Sequence, residues 1–348
     1  MRSRLLIVAG IVLLALAAVT LLPGLGALRG RLAQAQPLWL VLAAGLKLLS
    51  GACYVVLFRS VFCRRMSWRV SFEIGTSELG ANALFPTGGA GGLALGAWAL
   101  RRGGMPADHI ARRTVAFFLL TSAANVVGLI IVGLGLAIGV FPGHASVAET
   151  LIPAVVAGLA IVGALLAGRL AAWGERGLAA RHDRQRPRIA KGLAALAEGV
   201  TEALRLLREG DRALIVGIVG YLAFDVMVLW AAFHAFGSSP ELAIIWIAYL
   251  IGELGGVIPI PGGLGGVDAG LVGTLVFYGT TVTSAAAAVL AYRAVALTVP
   301  ALCGGFAFLR LRRTLRKETH AIASCLPGEA IELIGAGRVV VGPKLPVA

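Results

Sequence analysis

The chain of 348 residues is 58% hydrophobic and only 14% charged, and its apolar runs repeatedly reach membrane-spanning length, which excludes a soluble globular protein. Its net charge of +14 predicts basic cytoplasmic loops rather than a nucleic-acid-binding surface, because Lys and Arg collect on the cytoplasmic side of membrane proteins. The four cysteines have no paired spacing, so the sequence indicates neither a zinc site nor a disulfide framework.

Two apolar spans open the chain, from Leu5 to Leu22 and from Pro37 to Phe62. The first is interpreted as a retained helix, because it lacks a clear small-residue cleavage site. The next apolar segment, from Phe72 to Leu100, is broken between Phe85 and Gly92, and its two arms are each too short to span a membrane. Arginines flank this segment on both sides. We therefore predict a re-entrant hairpin that enters and leaves the membrane from the cytoplasm.

Spans three and four are predicted from Thr114 to Val140 and from Leu151 to Leu170. The segment 169–212 then holds ten Lys and Arg residues, which is the strongest cytoplasmic signal in the chain. Within it, helical spacing of apolar residues predicts an amphipathic helix, which either lies at the cytoplasmic interface or packs on loops as a solvated connector. The apolar residues of this helix are Ile189, Leu193, Leu196, Val200, Leu204 and Leu207.

Spans five and six are predicted from Ala213 to Phe236 and from Ala285 to Leu309. Between them, the apolar segment from Glu241 to Tyr278 is broken by Pro and Gly from Glu253 to Asp268. The loops on either side carry no positive charge, so this second hairpin is predicted to enter from outside. Non-helical backbone is tolerated in the hydrocarbon region only where protein or a water-filled cavity satisfies its hydrogen-bonding groups. The segment is therefore expected to line a cavity.

The two broken segments match each other. Glu78-Leu79-Gly80 precedes Pro86 by the same interval that separates Glu253-Leu254-Gly255 from Pro261, and Gly-Gly-x-Gly-Gly follows in both. Paired interruptions in inverted halves point to the binding site of a transporter, although two kinks that serve only packing remain the alternative. The predicted site takes these residues from the two segments: Glu78, Asn82, Pro86, Gly88, Gly89, Gly91, Gly92, Glu253, Pro259, Pro261, Gly262, Gly263, Gly265, Gly266 and Asp268.

Charged residues inside other apolar segments complete the predicted site. A charge at the centre of a membrane helix costs about 2.5–3.5 kcal/mol, so such residues face a bundle interior or a watery cavity. Arg293 is predicted to hold a phosphate through two parallel hydrogen bonds, or to pair with Glu253 or Asp268. Lys47 offers a second phosphate contact, or snorkels, or pairs with Glu78. Asp225 either joins two helices or is functional. This pattern favours an anionic lipid headgroup and leaves a carboxylate-bearing solute open.

No enzyme site is apparent in the sequence. The five histidines are scattered without ligand spacing. The Gly-rich motifs lie in membrane segments and lack the Lys-Ser/Thr of a nucleotide-binding loop. We therefore predict no catalytic residues, no metal and no cofactor.

The stretches from Asn82 to Gly104 and from Ile258 to Arg293 resemble the two signatures of the lysylphosphatidylglycerol synthase transmembrane-region family, over roughly Leu5 to Arg313. The resemblance implies the flippase-like membrane domain of multiple peptide resistance factor proteins, which move aminoacylated phosphatidylglycerol between leaflets. Other stand-alone members are thought to handle polyprenyl- or hopanoid-linked lipids. The synthase domain of many members has no counterpart here, so no synthase activity is expected. Many members also have an acidic residue after the first glycines, where this chain has Gly92 and Leu93. The resemblance therefore does not predict which lipid headgroup this chain binds.

The sequence thus predicts an all-α polytopic membrane protein with about six transmembrane helices and two re-entrant broken-helix hairpins in an inverted repeat. The flippase-like domain is predicted at 1–313, with repeat halves at 37–140 and 212–309, a cytoplasmic connector at 171–211 and a cytoplasmic tail at 314–348.

The predicted function is a lipid flippase or transporter in a bacterial-type inner membrane. Both termini are expected in the cytoplasm, and the expected partners are membrane lipids rather than nucleic acid. A non-catalytic scaffold or accessory subunit for lipid- or glycan-synthesis enzymes is one alternative. A small-solute secondary transporter is the other.

Overall fold

The computed structural model describes residues 34–84, 90–142, 188–237, 239–255 and 266–317, with Gly30, Cys325 and a few positions between 155 and 163. These residues form helices and no β-strand. The helices are α1 (Pro37–Phe62), α2 (Trp68–Leu84), α3 (Ala90–Arg102), α4 (Ala107–Ala137), α5 (Arg188–Arg208), α6 (Arg212–His234), α7 (Leu242–Gly255), α8 (Gly266–Phe277) and α9 (Val282–Lys317).

Helices α1 and α6 form the antiparallel centre of the bundle. At one end, Arg64 just after α1 pairs with Asp211 just before α6 at 3.0 Å. At the other end, the rings of Trp39 and Trp230 meet at 5.5 Å. The helices approach closely between these ends, since a Cβ on Gly217 would lie 2.8 Å from the backbone nitrogen of Leu57. We term the Arg64 end the basic end and the other the distal end.

Two helical hairpins flank this pair from opposite ends. Helix α2 begins at the basic end, where the guanidinium of Arg59 lies 4.4 Å from the ring centroid of Trp68, and α3 returns there to bury Leu100 beside the end of α1. Helices α7 and α8 form the second hairpin. Its outer ends are distal, because Ile244 and Leu275 pack with Phe233 near the end of α6.

Helices α4 and α9 cross the bundle next to these hairpins. Helix α9 packs on α2, and α4 packs on α7, so each hairpin contacts the long helix of the other half. At the α2–α9 crossing, a Cβ on Gly80 would lie 2.7 Å from the Cα of Gly304. The bundle is therefore interlocked across its two halves.

The apolar core is divided between the two ends. The cluster at the basic end includes Phe62, Met66, Leu100, Leu206, Leu214 and Leu311. The distal cluster includes Val132, Leu136, Phe233, Ile244, Leu275 and Ala285. Lys47 lies on α1 between Ala43 of the distal cluster and Tyr54 of the basic-end cluster.

Four of the six predicted spans coincide with described helices. Helices α1, α4, α6 and α9 are long and apolar enough to cross a membrane, and α7 and α8 are shorter apolar helices. The predicted span from Leu5 to Leu22 lies outside the described residues, as does nearly all of the span from Leu151 to Leu170. Helix α9 begins before the predicted Ala285 and continues to Lys317, because its amphipathic last turns pack Leu311 and Leu315 into the basic-end cluster.

Two sequence-based expectations are wrong. The absence of a disulfide is contradicted by a Cys63–Cys325 bond, whose partners lie 262 residues apart, too far for sequence spacing to reveal. The predicted breaks are too wide: α3 already includes Gly91 and Gly92, and α8 includes Gly266 through Asp268. Glycine weakens a helix by only about 1 kcal/mol, so tertiary packing overrides it at these positions.

Candidate substrate-binding site between the two apolar clusters

A buried ion pair joins α1 and α6 at the centre of the bundle. The Lys47 Nζ donates to Asp225 Oδ1 at 2.5 Å, and the two side chains are 8% and 5% exposed. Ser50 Oγ donates to the same oxygen at 2.9 Å, and Tyr249 OH of α7 donates to Oδ2 at 2.9 Å. A buried pair is tolerated only when such extra hydrogen bonds satisfy its remaining atoms. Asp225 therefore links α1, α6 and the second hairpin.

A second, more accessible ion pair joins α9 to α8. Arg293 Nε donates to Asp268 Oδ1, and these side chains are 21% and 27% exposed. Nη2 of Arg293 is buried and has no hydrogen-bond acceptor among the described residues. A guanidinium carries five donors in a planar fork. One buried donor of this fork is thus left for a further acceptor.

Glu253 lies one helical turn after Tyr249 on α7. It is half-buried, and its carboxylate is within electrostatic reach of Asp225, Arg293 and Lys47. Within the described part of the chain it forms no hydrogen bond and no ion pair. The rings of Tyr249 and Tyr292 meet edge to face at 6.3 Å, which connects α7 to the turn of α9 that carries Arg293. Glu253 therefore adds a third carboxylate beside the two pairs, one without an ion-pair partner among the described residues.

Glu78 occupies the corresponding place in the first hairpin, in different surroundings. It is 2% exposed and accepts a hydrogen bond from Tyr54 OH at 2.9 Å. Its Oε1 lies against α3, since a Cβ on Gly96 would be 1.4 Å from it. No ion pair involves Glu78 in the described ranges. This carboxyl group is closed in by packing.

Asn82 ties the two arms of the first hairpin together. Its Oδ1 accepts from the backbone N–H of Gly92 at 2.7 Å, and a Cβ on Gly92 would clash with it at 2.5 Å. Asn82 and Gly92 therefore hold the two arms of the first hairpin together. The remaining predicted residues of the breaks lie outside the described residues: Pro86, Gly88, Gly89, Pro259, Pro261, Gly262, Gly263 and Gly265.

The predicted charge partner of Lys47 needs correction. Lys47 pairs with Asp225 and not with Glu78, because α1 runs along α6 at that level. Of the two ion-pair partners predicted for Arg293, the structure shows Asp268. The expectation of Asp225 as a helix-to-helix contact is met by its hydrogen bonds.

Sequence reasoning missed the hydroxyl groups that complete this region. Ser50 and Tyr54 follow Lys47 by three and seven residues on α1, and Tyr249 precedes Glu253 by four on α7. Side chains at these intervals share a helix face, so a search for polar residues in register with each charge would have found them.

The described residues show no group of three or more His, Cys, Asp or Glu side chains that could hold a metal ion. An open cavity of about 390 Å³ is found away from the ion pairs, on α5, where its lining includes Leu204 and Arg208.

Comparison with known proteins matches the chain to a family model. Residues 5–304 match the family described as the lysylphosphatidylglycerol synthase TM region. No curated protein matches the chain. Together with the four helices that are long and apolar enough to cross a membrane, the family match establishes a multi-pass membrane protein.

Proposed function

Because the chain belongs to the lysylphosphatidylglycerol synthase transmembrane-region family, we propose that it is a lipid flippase or transporter that moves a phospholipid between leaflets. The substrate class that fits the site best is an aminoacylated phospholipid. Anionic phospholipids and polyprenyl-type lipids share its phosphate group and are the substrates to compare against it.

The observation that carries this proposal is a pair of unsatisfied groups of opposite charge. Arg293 has a buried Nη2 without an acceptor among the described residues, and a guanidinium suits a phosphate. Glu253 adds a carboxylate that accepts no hydrogen bond within the described ranges, and it suits an ammonium group. A headgroup that carries both a phosphate and an amine would satisfy both residues.

The net charge of the central region supports the same choice. Each of the two cations is already paired with an aspartate, Lys47 with Asp225 and Arg293 with Asp268. Glu253 is then a surplus carboxylate, which disfavours a purely anionic headgroup by like-charge repulsion. An added amine removes this repulsion.

The arrangement of the hairpins supports a transport role. The two hairpins carry matching motifs and enter the bundle from opposite ends, as expected for re-entrant segments of an inverted repeat. The headgroup would cross between them while the acyl chains stay in the bilayer. Movement would be downhill or coupled to an ion, since the sequence contains no nucleotide-binding motif.

Reconstitution tests this function directly. Fluorescent phosphatidylglycerol and its lysyl ester are placed in vesicles that contain the protein, and leaflet exchange is followed by quenching from outside. Arg293→Ala is expected to slow exchange on the order of 10–100-fold, because a hydrogen bond to a charged group contributes about 1.5–3 kcal/mol. Arg293→Lys keeps the charge and loses the fork, so it should fall between Ala and wild type.

Arg312→Ala is the matched control, since Arg312 is an exposed arginine of the same helix outside the site. It should exchange lipid at the wild-type rate. Wild-type vesicles that exchange none of these lipids would contradict the proposed function, and unchanged exchange by Arg293→Ala would contradict the assigned site.

A further inference from the structure

Helix α5 presents two neighbouring faces, and only one of them packs on the bundle. Ala203 and Leu206 are 7% and 3% exposed. On the same face, a Cβ on Gly199 would lie 2.2 Å from the side chain of Val115 on α4. Because glycine and alanine line much of this contact, α5 lies close against the first half of α4.

Ion pairs hold this contact in place at the basic end. Arg113 of α4 pairs with Glu202 of α5 at 3.1 Å, and Arg112 reaches Glu198 at 3.8 Å. Arg113 also donates to the backbone oxygen of Val61 at 2.7 Å. Helix α5 is thereby fixed to the end of the bundle where α1 finishes.

Three apolar side chains of α5 lie on the other face. Val200, Leu204 and Leu207 each follow a packed residue by one position, which turns them about 100° away from it at 3.6 residues per turn. Leu204 is 39% exposed and Leu207 is 46% exposed. We term these three residues the outer stripe. Leu204 and Leu207, the last two residues of the apolar pattern that predicts an amphipathic helix, are therefore left outside the protein core.

A basic groove runs beside the outer stripe. The open cavity of about 390 Å³ is lined by Leu204 together with Thr201, Arg205, Arg208 and Glu209. Arg205 pairs with Glu209 at 3.1 Å. Arg208 forms no ion pair among the described residues and is exposed. An apolar surface thus lies next to an available guanidinium.

We propose that the outer stripe and Arg208 form a binding surface for anionic phospholipids of the membrane in which the protein lies. Helix α4 is long and apolar enough to cross that membrane, and α5 is fixed to its basic end, at the level of the headgroups. Leucines on one face and arginine beside them are the combination that holds an amphipathic helix in an anionic interface. This surface is separate from the central ion pairs, so it does not rest on the proposed transport function.

Hydrogen–deuterium exchange of the full chain tests this surface. The protein is placed in nanodiscs of phosphatidylcholine alone and of phosphatidylcholine with phosphatidylglycerol. The amides of 200–208 should exchange more slowly when phosphatidylglycerol is present, while the amides of α6 are unchanged. Arg208→Gln should reduce the gain in protection by about fivefold, the contribution of one cation near an anionic surface.

A second variant tests the apolar part of the surface. Leu204→Asp with Leu207→Asp changes exposed side chains only, and it should abolish the gain in protection. Equal exchange of 200–208 in both nanodiscs would overturn the proposal. So would a gain that both variants retain, or protection that follows protein concentration instead of lipid, which would assign the outer stripe to a second copy of the chain.

Discussion

The two hairpins carry the same Glu-Leu-Gly motif in opposite surroundings. In α2–α3, Glu78 is 2% exposed and accepts a hydrogen bond from Tyr54 at 2.9 Å. In α7–α8, Glu253 is half-buried and lies within electrostatic reach of Lys47 and Arg293. The first carboxyl group is enclosed by neutral neighbours, whereas the second remains accessible beside charged ones.

The first hairpin also packs more closely than the second against its crossing helix, which is α9 for the first hairpin and α4 for the second. Helix α2 meets α9 backbone against backbone, with the Cα of Gly304 2.7 Å from where a Cβ on Gly80 would lie. Helix α7 meets α4 through the end of the Leu250 side chain, 3.4 Å from the Cβ position of Gly128. We infer from this difference that the first hairpin serves mainly as a packed support. In the proposed function, the second hairpin would form the side that binds the headgroup.

The largest expected effect concerns the ion pair that anchors the second hairpin. Asp225→Ala removes the acceptor of Lys47, Ser50 and Tyr249 and leaves a buried ammonium unpaired, which costs about 3–5 kcal/mol. The free energy of unfolding in detergent, measured by denaturant titration, checks this value. Glu78→Gln should cost less than about 1 kcal/mol, because Gln keeps the volume and still accepts from Tyr54.

The double variant Lys47→Met with Asp225→Leu serves as the control. It replaces the pair by apolar side chains and should regain most of the loss, as replaced buried pairs commonly do. If Glu78→Gln destabilises the protein as much as Asp225→Ala does, the contrast between the hairpins is wrong.

The lipid exchange rate should also differ between variants of the two glutamates, although by less than the free energy of unfolding does. Glu253→Gln removes the surplus negative charge and is expected to slow exchange of lysyl-phosphatidylglycerol on the order of tenfold, the low end for a lost charged hydrogen bond. Glu78→Gln should stay within about twofold of wild type, since an enclosed carboxyl group gains no contact with substrate. Vesicle exchange assays with both variants make the comparison. Equal slowing would indicate that both halves bind the headgroup.

A further comparison adds single methyl groups at the helix crossings. Gly304→Ala inserts a carbon between two backbones and should destabilise the fold by about 1–3 kcal/mol. Gly305→Ala is the matched control, because no heavy atom lies within 4 Å of its Cβ position, and it should stabilise α9 by up to about 1 kcal/mol.

Gly128→Ala extends this test to the second hairpin. The Leu250 side chain can move by a few tenths of an ångström, so the free energy of unfolding should stay within about 1 kcal/mol of wild type. A loss as large as that of Gly304→Ala would show that both crossings are equally rigid.

Much of the architecture could be predicted from local sequence patterns. The bounds of α1 from Pro37 to Phe62 follow from hydropathy, and the two interrupted segments follow from Pro86, Pro261 and their glycines. The candidate site could be predicted only as a set of charges. Which charge meets which depends on helix packing, and Lys47 and Asp225 lie 178 residues apart in sequence.

The sequence by itself determined the membrane class, the helical segments, the matching interruptions and the amphipathic character of α5, because hydropathy and helical period are local properties. Only the tertiary structure decided the partners of Lys47 and Arg293, the Cys63–Cys325 bond and the packed face of α5. It also decided that Glu78 is enclosed while Glu253 stays accessible. The same motif acquires different surroundings because close approach at Gly80 and Gly96 encloses Glu78, whereas Glu253 lies beside the charge pairs of Lys47 and Arg293.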